Sequence, residues 1–312
     1  MVQARSGRWG GILPAVLFGT AILLLLAGPL VLHVAQKRHD RLPFDLDTEF
    51  PADRAIVPGE AFASTLAALV RHELDSPAGW RPNDFVLWGP GVMADNNANR
   101  QLGIIMAARE STRVLRDHLT KISSTEYDPH LTTASTTLQN DPTKFWFPSA
   151  ENRFRAGVEG LDRYVAGLRA TPPTSKPIQD RNVEMIRLIQ TWSDLLGDAH
   201  GALYKDTEPD GSSVRPWRTD DYFYHAQGVA HVIYHLTRAV RREYAQALAG
   251  RTAVDALLKD VAHALGRAAT LKPLVVLNGR TDGLFANHRR NLDGYIVEAR
   301  QKLYSVREEL EK

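Results

Sequence analysis

The 312-residue chain has no cysteine. That excludes a disulfide framework, a thiolate nucleophile and a cysteine-based metal site, and it suits an oxidising compartment without requiring one. An excess of either charge is also missing. Thirty-eight Lys and Arg stand against 36 Asp and Glu, and because Arg5 and Arg8 precede the first apolar segment, the remainder balances at 36 to 36. A balanced chain has no overall field to gather phosphate backbones, so nucleic acid is not an expected partner. Catalytic signatures are absent as well. The serines sit in no Gly-x-Ser-x-Gly elbow, no Gly-rich loop is built to cradle phosphates, and Val232-Ile233-Tyr234 between His231 and His235 holds no Glu, so the zinc-protease pattern fails. No cofactor and no bound metal are expected.

One absence is local. Between Arg8 and Lys37 there is no Lys, Arg, Asp or Glu, and Ile12 to Val34 is built mainly from Leu, Ile, Val, Ala, Phe and Gly. A hydrocarbon core of about 30 Å needs about 20 such residues at the helical rise. A secretory signal has an apolar region of about 7–15 residues and then a small-x-small cleavage site. Here the run is too long, and it ends His33-Val34-Ala35-Gln36-Lys37-Arg38, a poor site. The pattern predicts a short tail at 1–11, a retained transmembrane helix at 12–34, a juxtamembrane linker at 35–58 and a helical soluble domain at 59–312, as one core or two subdomains. Arg5 and Arg8 before the helix and Lys37, Arg38 and Arg41 after it do not choose a side. A very short N-terminal tail normally stays in the cytoplasm, which places the domain outside it.

Beyond Pro58 the apolar residues recur at helical spacing. Phe154, Val158, Leu161, Val165 and Leu168 make one stripe; Ile189, Trp192, Leu196 and Leu203 make another; Val254, Leu258, Val261 and Leu265 a third. Thr219 offers an N-cap to the helix that follows, with Asp220 and Asp221 in its first turn. The last helix carries a seam at Leu292, Ile296, Leu303 and Val306, with Arg300 on its polar side. Only Leu274-Val275-Val276-Leu277 looks strand-like, and a single strand has no partner. The fold class is therefore all-α, an irregular multi-helix bundle after one N-terminal membrane helix.

Two groups of residues could carry chemistry. On the helix after Thr219, His225, His231 and His235 accompany Asp220 and Asp221, as candidate acids, bases or ligands. Asp221 and His235 are about 21 Å apart along the axis, so one ion cannot reach all of them. Drawn on a helical wheel, His231 points with Arg238 and Arg242, which predicts a solvated face or an anion groove rather than a divalent metal. The second group is Trp80, Asn83, Asp84, Asp95 and Asn96. Aromatic faces and amides can bind sugar hydroxyls, and the same residues also serve as turn formers and caps.

The N-terminal anchor, the segment Trp80-Arg81-Pro82-Asn83-Asp84, the segment from Asp95 to Gly103 and the helical remainder together resemble the bacterial family catalogued as domain of unknown function 2333. The resemblance implies a bacterial inner-membrane protein and brings no activity or catalytic residues with it. The expectation is an inner-membrane-anchored interaction or scaffold protein, with the bilayer as one partner and a protein or envelope component as another, its domain in the periplasm. The alternative is an envelope hydrolase or glycan- or ligand-binding protein that uses the histidine-rich helix.

Overall fold

The computed structural model describes residues 12–38, 42, 44–84, 95–120, 126–179, 181–208, 210–212, 214–273, 276–277, 279 and 286–312. These form an all-α, multi-helix bundle. The helices are α1 (Ile12–Arg38), α2 (Leu46–Glu49), α3 (Glu60–Leu74), α4 (Asn96–Val114, running on into a π-helical turn at Leu115–Leu119), α5 (Pro129–Leu138), α6 (Ala150–Arg169), α7 (Asn182–Tyr204), α8 (Pro216–Glu243), α9 (Ala245–Ala249), α10 (Thr252–Thr270) and α11 (His288–Glu311). No strand occurs among the described residues, and Leu274 and Val275 of the strand candidate lie outside them.

Over its described side chains, no helix is long and apolar enough to cross a membrane. In α1 the side chains of Leu26, Pro29, Leu30, Leu32 and His33 are outside the described set and divide its apolar run. Those that are described point outward in every direction: Leu13, Leu17, Phe18, Leu23, Leu24 and Val31 are each more than 60% exposed.

Local capping explains several helix starts. The Asp128 carboxylate accepts from the backbone N–H of His130 at 2.9 Å and Leu131 at 3.2 Å, with Pro129 in the first helical position, and this offsets the weak propensity of the Thr-rich α5. The start of α8 differs from expectation. It begins at Pro216 rather than after Thr219, because proline already holds the helical φ and has no N–H to lose, so Thr219 is a buried residue inside the helix. The N-terminus of α3 is capped from far away in sequence: the Glu243 carboxylate accepts from the backbone N–H of Gly59 at 2.9 Å and of Phe62 at 2.8 Å.

α8 is the centre of the bundle and packs against α3, α4, α7 and α10. Its crossing with α4 is set by two glycines. A methyl group on Gly228 would overlap the carbonyl oxygen of Arg100, and one on Gly103 would overlap that of His225, so the two backbones touch and Arg100 is brought level with the middle of α8. α3 runs antiparallel to both α8 and α6. Its start meets Glu243, Tyr164 and Leu168, whereas at its other end Glu73 pairs with Arg100 and Asp75 with Arg155. Along α11, Leu292, Ile296, Ala299, Leu303, Val306 and Leu310 are buried as one seam. Arg300 is not a free polar-face residue: its Nε donates to the Ser193 carbonyl at 3.2 Å and its guanidinium lies on Gly197.

Residues 35–58 do more than join two parts. Leu46 and Phe50 are buried in the domain core, Arg238 pairs with Asp47 at 2.6 Å, and Arg242 donates to the carbonyls of Phe50 and Pro51, both at 2.9 Å. The described residues 44–54 lie along the second half of α8 like a strap.

Candidate functional site

His231 and His235 stand one turn apart on α8, their rings meeting edge to face at 4.7 Å. The wheel reading of a solvated face is wrong for His231, which is 6% exposed. A wheel sorts one helix into two sides; here α3, α4, α10 and the strap cover nearly all of them. Arg238 and Arg242, its supposed companions on a wet face, are engaged by that strap.

The two imidazoles line a cavity of about 380 Å³ with Leu42, Arg100, Gln227, Tyr234 and Lys272. Gln227 is fixed there by donating to the Leu271 carbonyl at 2.6 Å, which also satisfies the end of α10. Arg100, 6% exposed, is held by Glu73 at 2.9 Å. Burial holds both imidazoles neutral. It pushes His231 well below the ordinary histidine range, helped by Arg100 and by His235 and His72, and lowers His235 to about 4, helped by Arg238 and Arg100. A neutral imidazole offers one N–H donor and one bare nitrogen. Nε2 of His231 is buried and has no hydrogen-bond partner. Such an atom is costly to leave unsatisfied, by about 1–3 kcal/mol.

The remaining candidates fall elsewhere. Asp221 accepts from Asn99 Nδ2 at 2.7 Å and shares a hydrogen bond with Asp95, so one residue from each sequence group meets here, at the starts of α4 and α8. Burial raises Asp220 and Asp221 above the usual carboxylate range, with Asp95 and Asp220 respectively adding like charge. His225 lies between the two places; burial and then Arg109 lower it. Trp80 and Asn83 are structural mortar. Trp80 is 4% exposed, packs edge-on against Phe154 and donates to the Pro142 carbonyl at 2.8 Å. Asn83 Nδ2 donates to the Lys144 carbonyl at 3.1 Å and to Glu151 at 2.9 Å. Asp84 pairs with the buried Arg81, and burial raises it first, against that pairing. Asn96 Oδ1 is buried without a partner, and Asp95 occupies the cap position of α4 without its side chain capping it. Among the described residues no group of three or more His, Cys, Asp or Glu is placed to share a metal ion.

Arg100 and Gln101 belong to the Asn-rich segment that starts α4, where Gln101 Oε1 accepts from the Arg81 backbone N–H at 2.9 Å. Those segments therefore lock together in three dimensions. A family model described as an uncharacterized protein conserved in bacteria, DUF2333, matches residues 27–177 and 178–312. The chain belongs to this family. The first DUF2333 stretch supplies Leu42 and Arg100 to the cavity and the second supplies Gln227, His231, Tyr234, His235 and Lys272, so the cavity is a joint product of both. No curated protein and no solved structure matches the chain. Arg100, Glu73, Gln227 and Lys272 were not singled out by sequence reasoning. For Arg100 the available signal was the quartet Asn99-Arg100-Gln101-Leu102, two long polar side chains in the first turns of a helix just before an apolar run.

Proposed function

We propose that this DUF2333 protein is a single-span bacterial inner-membrane protein whose periplasmic helical domain binds a small ligand bearing an anionic or hydrogen-bond-accepting group. Two features support the anchor. α1 is 27 residues long, uncharged from Ile12 to Gln36 and apolar on every side, and a soluble helix of this length would have a polar face. A contiguous exposed apolar surface of this size is otherwise a membrane or partner contact. The lack of cysteine suits a domain in an oxidising compartment outside the cytoplasm.

The ligand reading is carried by the polar lining of the cavity, a guanidinium, an ammonium and two neutral imidazoles, beside which Nε2 of His231 is buried without a hydrogen-bond partner. None of the residues lining that cavity is acidic, and Glu73, the partner of Arg100, is held by that pairing. A donor-rich wall without a carboxylate suits capture better than acid–base hydrolysis. Thermal melting of the full chain in detergent against a panel of inorganic phosphate, glycerol phosphate and small carboxylates tests this. At least one should raise the melting temperature, and His231→Phe, which fills the cavity, should abolish that rise. A rise that survives the substitution, or no rise with any member, would remove the ligand reading. An alkaline phosphatase fused after Lys312 should be active in cells; an inactive fusion would reverse the topology.

A further inference from the structure

Outside α1, the exposed large hydrophobic residues are scattered singly, as at Tyr127, Val183 and Tyr204, with one exception among the described residues: Phe145, Trp146 and Phe147 are consecutive and 58%, 76% and 91% exposed. Nothing about this loop is loose at its base. The Asp141 carboxylate accepts from the N–H and hydroxyl of Thr143, the Lys144 carbonyl accepts from Ala150 N–H and Asn83, and Trp80 is hydrogen-bonded to Pro142. A fixed base thus holds three aromatic rings in solvent, beside Lys144.

The loop's position indicates its occupant. Leu42, four residues beyond the end of α1, lines the same cavity as Arg100; Arg100 pairs with Glu73 in the last turn of α3; and just past that turn Asp75 binds Arg155 of α6, while Trp80 and Asn83 hold the loop itself. The loop and the point where the chain leaves α1 are therefore linked through the last turn of α3, away from the Glu243 end of α8. Four residues span at most about 14 Å, which keeps Leu42 close to the lipid headgroups. Tryptophan and phenylalanine beside a lysine are the side chains that partition into that layer.

We infer that Phe145, Trp146 and Phe147 insert into the headgroup region of the bilayer as a second membrane contact, fixing the domain's tilt so that its cavity end faces the membrane surface. This rests on α1 being the anchor. Because the chain has no cysteine, single-cysteine labelling of the full protein is clean. Thr143→Cys, which keeps the backbone N–H bond to Asp141 but loses the hydroxyl one and is used only if its melting temperature matches the unsubstituted chain, would carry an NBD fluorophore in phosphatidylcholine–phosphatidylglycerol liposomes with and without nitroxide-bearing lipid. Leu23→Cys reports on α1. Val183→Cys reports on the opposite end, next to the Leu310 carbonyl and the start of α7.

The labels at Leu23 and Thr143 should lose emission to nitroxide lipid and the label at Val183 should not. Changing Phe145, Trp146 and Phe147 to Ser should return Thr143 to the Val183 level without altering the melting temperature or the Leu23 signal. Quenching at Leu23 but not at Thr143 would overturn the inference and leave the anchor standing, with a protein partner as the loop's occupant. No quenching at Leu23 would overturn both. Quenching at Thr143 that persists in the serine variant would mean that mere proximity, and not the aromatic side chains, brings the loop to lipid, which also overturns it.

Discussion

α1 and α8 have almost the same length, 27 and 28 residues, and opposite characters. α1 is apolar all round and presents ten large hydrophobic side chains, from Leu13 to Val34, at 40% exposure or more. α8 carries three histidines and several arginines, yet Phe223, Val232, Ile233, Leu236 and Ala239 on it are completely buried. Ranked by composition alone, the wrong helix would be put inside. The difference lies in neighbours: α8 is surrounded by four long helices and the strap, whereas α1 makes no substantial interface with any helix among the described residues. Burying one such side chain yields about 1.5–3 kcal/mol. Ten left in water forgo a stabilisation comparable with or larger than the ~5–15 kcal/mol net stability of a domain. On the proposed anchoring, lipid would supply that burial.

The same substitution made in both helices sharpens this contrast most. Leu236→Ala should cost the domain about 2–5 kcal/mol, while Leu24→Ala should leave domain unfolding unchanged, both followed by chemical denaturation of the full chain in detergent. Equal effects would erase the distinction. Titration comes next. The folded chain keeps His235 neutral down to about pH 4, whereas the unfolded chain protonates it near 6.5. Its contribution is therefore complete above pH 6.5 and is lost as the pH falls towards 4, by up to roughly 3 kcal/mol at about 1.4 kcal/mol per unit. Glu243 slopes the other way. Burial pushes it up to about 7, against its backbone hydrogen bonds, so the folded chain holds a proton that the unfolded one releases and stability declines as the pH rises from about 4.5 to about 7. Subtracting the His235→Gln stability curve from that of the unsubstituted chain cancels the Glu243 slope and should isolate the histidine limb; superimposable curves would contradict a desolvated imidazole.

Smaller effects probe the packing around α8. Gly228→Ala forces a methyl group against the Arg100 carbonyl and should cost about 1–3 kcal/mol, read as a lower denaturation midpoint, with the α4–α8 crossing disturbed. A neutral result would mean that the two helices can separate freely. Arg300→Ala removes a hydrogen bond to Ser193 and cover from Gly197, and should cost about 0.5–1.5 kcal/mol by the same assay. No loss at all would return Arg300 to the solvated role that its place on the polar side of α11 suggests.

Much of the architecture was legible one helix at a time. The stripes of α6, α10 and α11 read directly as buried faces, because a 3.6-residue period is a local property of the chain. The Thr219 reading puts the start of α8 three residues late, because it gives no weight to Pro216 as a first helical residue. What the sequence could not show were relations between distant segments. Glu243 caps a helix that begins more than 180 residues earlier. His231 shares a wheel face with two arginines and is nevertheless buried, because residues 44–54 return to bind those arginines. Trp80 and Asn83 carry the residue types of an exposed sugar site and in fact tie the loop after α3 to the loop before α6 and to α6 itself, since an amide or indole satisfies a carbonyl as readily as a hydroxyl. The cavity needs Leu42, Arg100, His231 and Lys272, and no local pattern connects them.

The claim that supports everything else is that α1 lies in lipid. Membranes from cells producing the full chain, washed in alkaline carbonate and sedimented, test it most directly, with a chain lacking residues 12–38 run in parallel. The account predicts that the full chain stays in the pellet and that the shortened one does not, even though the aromatic loop at 145–147 is intact in both. Release of the full chain into the supernatant would contradict it.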